Sequence, residues 1–141
     1  MAKHPLTTRR AAVGMVGAAI AAVPAAARAE ATPIMVVFHV SDPDHWAPAI
    51  SNLSHITAAY PEGKFRVVVD GPAVLALQGE NHITAALAPI AEKGVLFQVC
   101  PNALKDQGVP ADGMPAWAAT DVIGVLALFE AQRADFAYIK P

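Results

Sequence analysis

Residues 34 to 46 read IMVVFHVSDPDHW, and this stretch decides the fold class. From Ile34 to Val40 every position except His39 is β-branched, aromatic or Met, without the polar alternation of a strand that faces water on one side. Such a strand is buried on both faces, the condition of a parallel sheet covered by helices. Asp42 then offers a helix cap, and Pro43 suits a first helical turn. Trp46, Ile50, Leu53, Ile56 or Thr57, and Tyr60 follow at spacings of three and four, which makes a helix with one buried stripe.

The same alternation continues outward. Pro61-Glu62-Gly63 stops the helix, and residues 65–69 form a second apolar strand that runs into Asp70-Gly71-Pro72. Residues 73–77 read as a short helical piece and 83–93 as a longer helix closed by Gly94. A third strand at 95–99 ends on Cys100, and a short helix follows at 102–107. After the loop GVPADGMP come a weak strand at 117–122, a helix at 124–133 and a last strand at 136–139. Strands separated by helices and joined by short loops predict an α/β chain, a flavodoxin-like three-layer sandwich with a mostly parallel sheet of about five strands. Residues 30–141 are expected to form this single domain.

The first 29 residues read differently. Lys3, Arg9 and Arg10 precede a mildly apolar run, Pro24 breaks it, and Ala27-Arg28-Ala29 places small residues where a signal peptidase reads them. This is the layout of a signal peptide cleaved after Ala29. The run falls short of the roughly 20 strongly apolar residues of a membrane span, so no stable membrane anchor is expected. Thr8-Arg9-Arg10 before a weakly hydrophobic stretch favours the Tat route, which carries folded cargo, and Arg28 weighs against the general secretory channel. The expected location is the periplasm.

Beyond Ala29, twelve acidic residues stand against six basic ones, a formal charge of −6. That balance argues against nucleic acid or an anionic membrane as partner. A lone cysteine makes no internal disulfide; in an oxidising compartment it is buried, paired between chains, or a reactive thiol.

In open α/β sheets ligands gather beyond the carboxyl ends of the strands, near the point where strand order reverses. This rule selects His39, Asp42, Asp70, Cys100 and Thr120 or Asp121 along one rim. Cys100 stands at the start of a helix with Pro101 in its first turn, where backbone N–H groups and the helix dipole favour a thiolate. The competing reading is a small buried hydrophobe. His39 could shuttle a proton or orient a ligand, or simply bond a loop. Asp70, before Gly71, could hold a ligand or the His39 ring, or close a turn on its own backbone. His39, Asp42, Asp44 and His45 lie close in HVSDPDHW, but their spacing matches no tight metal-ligand pattern. Neither a metal nor an organic cofactor is expected. There is no Gly-rich phosphate loop, and no Ser-His-Asp set stands out. His55 and His82 read as helix-surface residues, and Trp46 and Trp117 as core or subunit contact.

Three segments resemble the DsrE/DsrF-like family of sulfur-relay proteins, in its small single-domain branch: VVVDGPAV after the second strand, KGVLFQVCPNALKDQGV around the cysteine, and the closing LFEAQRADFAYIKP. The resemblance covers nearly all of residues 31–141. It implies a flavodoxin-like fold that assembles into homo-oligomers, trimers or hexamers. It also implies a cysteine, matching Cys100 here, that accepts sulfane sulfur as a persulfide and passes it to a thiol-bearing partner protein. Relatives often carry His-Gly where this chain has Asp70-Gly71.

The resulting expectation is a periplasmic sulfur carrier. Cys100 and His39 would be its catalytic pair, with Asn102, Asp70, Gly71 and Asp42 as ligand-binding residues. Asn102 and the backbone at the helix start would stabilise the charged sulfur, and His39 would move the proton. The competing expectation is an oligomeric module that binds a small ligand or a protein without covalent chemistry. A third is a domain exported by Tat because it assembles with a cofactor first.

Overall fold

The apolar strands pair side by side in one direction. A computed structural model describes residues 32–141, so the signal-peptide reading of residues 1–29 lies outside the described residues. Five parallel strands, β1 (Met35–Val40), β2 (Lys64–Val69), β3 (Leu96–Val99), β4 (Ala118–Ala119) and β5 (Ala137–Ile139), form one sheet in the order β4-β3-β2-β1-β5. Four α-helices accompany them: α1 (Trp46–Ala59), α2 (His82–Glu92), α3 (Pro101–Asp106) and α4 (Gly124–Arg133). The architecture is a flavodoxin-like α/β sandwich.

Strand order dictates how the helices are shared between the faces. From β1 to β4 the chain steps in one direction across the sheet, and right-handed crossovers then place every connection on one face. The chain returns from β4, at one edge, to β5 beyond β1, so α4 crosses the other face alone. The buried clusters divide accordingly. Val36, Phe38, Val40, Phe65, Val67, Val69, Phe97 and Val99 pack under Trp46, Leu53, Leu77, Leu87 and Leu104. On the other face Val37 and Val68 meet Ala127, Ala131 and Phe136. The order reverses between β1 and β5.

Local chemistry explains the boundaries. Asp42 accepts the Asp44 N–H at 2.9 Å and caps a 3-10 turn, Pro43–His45, that leads into α1. The stripe of α1 is Trp46, Ala49, Leu53 and Thr57, whereas Tyr60 turns outward, 48% exposed. Thr57 belongs inside because its hydroxyl donates to the Leu53 carbonyl at 2.8 Å. Asn81 and Thr84 close a reciprocal capping box at the start of α2. The expected helical piece at 73–77 is a longer 3-10 segment, Gly71–Leu77. The expected fourth strand is cut to Ala118–Ala119, because it is an edge strand held by β3 on one side only. Among the described residues no helix is long and apolar enough to cross a membrane.

Candidate functional site

Side-chain alternation puts the polar interruptions of four strands on the face that α4 covers. His39 pairs in register with Val68, and Val37 with Tyr138. These positions all lie on the α4 side, since Val37 and Val68 pack against that helix. One step beyond the last register pair, Val69 with Val99, Asp70 and Cys100 follow at the strand ends, and the Cys100 N–H donates to the Val69 carbonyl at 2.8 Å.

The His39 ring links two neighbouring strands. Its Nε2 lies 3.0 and 3.1 Å from the two Asp70 carboxylate oxygens, and its Nδ1 lies 2.8 Å from the Tyr138 hydroxyl. Asp70 therefore engages His39 and makes no cap bond to its own backbone. Gly71 makes this possible. It adopts φ +52, and a Cβ there would stand 2.9 Å from the Ser41 carbonyl oxygen, so a side chain would push the β1 and β2 ends apart.

Cys100 closes β3 as the N-cap of α3, with Pro101 in the first turn. Its neighbour across the face is Gly124, the first residue of α4. A Cβ on Gly124 would lie 3.3 Å from Cys100 Cβ and 3.4 Å from both Asp70 Cβ and Oδ2. The thiol and the carboxylate thus flank one glycine at a helix N-terminus, where first-turn N–H groups have no intrahelical acceptor. Cys100 is 6% exposed, so the thiol is largely covered in the folded chain. Gln98, two residues before it and in register with Val68, is 9% exposed, and its Oε1 is buried without a partner.

The remaining expected residues fall elsewhere. Asp42 is exposed and committed to its own 3-10 turn, and Gly71 serves the backbone. Asn102 is exposed on the first turn of α3, and Asp121 is exposed after β4. His55 and His82 lie on helix surfaces, Trp46 is 1% exposed, and Trp117 packs edge-on against Phe97. A cleft of about 460 Å³ opens between the start of α2 and the loop before β4, lined by Asn81, Thr84, Met114 and Trp117 among others. None of His39, Asp70 and Cys100 lines it, and its Asn81 and Thr84 side chains are spent on the cap, so the strand-end cluster is the stronger candidate. Sequence reasoning missed Tyr138 and Gly124. The signal for Tyr138 was the alternation in FAYIK, which sets Tyr138 and Lys140 opposite Ile139.

No family model and no curated protein matches the chain. Among solved structures it is similar to a protein of unknown function from Methanobacterium thermoautotrophicum, with a TM-score of 0.71 and 25% identity over 77% of this chain and 99% of that one.

Proposed function

We propose that the chain is a sulfur carrier of the DsrE/DsrF-like kind, in which Cys100 takes sulfane sulfur as a persulfide and yields it to a partner thiol. The observation that carries this reading is the seat of Cys100: it ends β3 beside Asp70, under the N-terminus of α4, with His39 bonded to that carboxylate. Thiolate attack on a sulfane donor forms the new S–S bond and expels the remainder of the donor. The first-turn N–H groups of α4 stabilise the negative sulfur, and the Asp70-His39 pair receives the thiol proton. His39 supplies from β1 the imidazole that relatives often carry in place of Asp70. The reaction draws on no metal or organic cofactor.

Assembly and export belong to the same reading. The outer side of α4 presents Val125, Leu126 and Phe129, 67%, 49% and 57% exposed, an apolar surface suited to homo-oligomer contact. The periplasm, reached through a Tat-type leader, is the compartment proposed for it.

The test is the intact mass of the protein before and after polysulfide, with Cys100→Ser as control. The expected result is a gain of about 32 Da that dithiothreitol removes, because sulfinic acid of nearly equal mass is not reversed by thiols. Equal loading of Cys100→Ser would refute the proposal. A second reading, a binding module in which the thiol only packs, is favoured by the 6% exposure of Cys100. Absence of loading in the parent protein would select it.

A further inference from the structure

His39, Asp70 and Tyr138 form a hydrogen-bonded chain across three neighbouring strands, and the thiol reading uses only two of them. Hydrogen placement follows from bonding capacity. An ionised Asp70 carboxylate only accepts, so in the neutral ring Nε2 carries the proton that it donates at 3.0 Å. Nδ1 is then a lone pair, and Tyr138 Oη, 2.8 Å away, must be the donor. Hydroxyl, imidazole base and orienting carboxylate stand in the order of an activated nucleophile, with a phenol as the hydroxyl. Exposure is graded to match. The His39 side chain is 15% exposed and Asp70 28%, while Tyr138 is 42% exposed. The phenol meets solvent, and the base behind it is mostly covered.

We propose that Tyr138 is a nucleophilic hydroxyl, activated by His39 and positioned by Asp70 through that ring, which accepts acyl groups from activated carboxylic esters. The phenolic oxygen bonds to the carbonyl carbon while its proton passes to His39 Nδ1. The tetrahedral intermediate then collapses, the ester C–O bond breaks, and the leaving alkoxide takes that proton from Nδ1. The acyl group remains on Tyr138, and no electrons are exchanged with a third species. Lys140 follows Tyr138 by two residues, just past the end of β5, and its ammonium donates to Ser41 Oγ at 3.2 Å. This cation suits an ester with an anionic portion. Phosphoryl transfer leans on several cations around the phosphate, whereas acyl transfer asks for charge stabilisation at one oxygen.

The proposal stands apart from the sulfur reading, so it is tested with the thiol removed. The full chain carrying Cys100→Ala is exposed to p-nitrophenyl acetate, and acetyl groups are located by peptide mass spectrometry. The chain's other tyrosine, Tyr60, is an internal control: it is 48% exposed and has no imidazole partner among the described side chains. Tyr138 is expected to acetylate about a hundredfold faster than Tyr60, the lower end of what a positioned general base contributes. His39→Gln should bring Tyr138 down to the rate of Tyr60. Asp70→Asn, which keeps the shape, should give a partial loss. Unfolding of a variant would expose both tyrosines alike and so would not imitate this selective fall. Equal rates for Tyr138 and Tyr60 in the Cys100→Ala protein would overturn the proposal, as would a Tyr138 excess that survives both His39→Gln and Asp70→Asn.

Discussion

One face of the sheet is packed by three helices and a 3-10 segment over a large apolar cluster, and the Thr57 and Thr84 hydroxyls buried on its helices are bonded to backbone carbonyls. The other is crossed by α4 alone, and beside Val37 and Val68 it carries Arg66, His39, Gln98 and Asp70, while Cys100, at the strand end, packs with the first cluster and also borders Gly124 at the start of α4. Arg66 lies over the Phe136 ring, 4.4 Å from its centroid, so even the charge nearest that small core is absorbed by an aromatic face. The difference follows from chain direction: four strands laid down one way fill one face, and a single return crossover leaves the other thinly covered. Stability is concentrated where the helices are, and reactive groups collect where they are not.

Core substitutions should break this contrast most visibly. Trp46→Ala removes a fully buried ring and its Nε1 bond to the Ala73 carbonyl, and should cost about 3–5 kcal/mol in urea unfolding. Val37→Ala on the thin face should cost about 2 kcal/mol. Equal costs would mean that the two faces share the stability evenly. Gly124→Val comes next, since its Cβ already stands 3.3 Å from Cys100 and its methyl groups need further space. A loss of about 1–3 kcal/mol is expected, together with loss of sulfur loading. Normal loading would separate the start of α4 from the thiol's function.

The smaller effects sharpen the comparison. Gln98→Leu removes a buried oxygen that lacks a partner, so it should be neutral or stabilising by about 1 kcal/mol. Clear destabilisation would show that the amide is satisfied in the assembled protein. Val125→Asp lies on the outer side of α4 and should leave folding within about 0.5 kcal/mol, yet lower the sedimentation coefficient if copies meet through that helix. An unchanged coefficient would remove α4 from the proposed interface.

The packed face was legible in the sequence because it rests on local pattern. The run from Ile34 to Val40, the stripe from Trp46 and the Gly94 terminator each report on a few neighbouring residues. Helix α4 was read at 124–133 and stands at Gly124–Arg133. The site was legible in part. His39, Asp70 and Cys100 follow from the strand-end rule, and the structure brings His39 and Asp70 into hydrogen-bond contact. Tyr138 was not found because its contact with His39 spans 99 positions and depends on β5 returning beside β1, which no local spacing encodes. Asp42 was legible as a cap, because its carboxylate satisfies a backbone N–H two residues on, a local bond that competes with any ligand.

The central claim is that Cys100, though covered, belongs to the strand-end site beside Asp70 and Gly124, and native-state alkylation tests it most directly. The folded protein is treated with iodoacetamide, the same is done in denaturant, and the modified fraction is followed by mass. The account predicts modification of Cys100 in the folded state, blocked by prior loading with polysulfide. Modification that appears only in denaturant would contradict it and leave the thiol as packing.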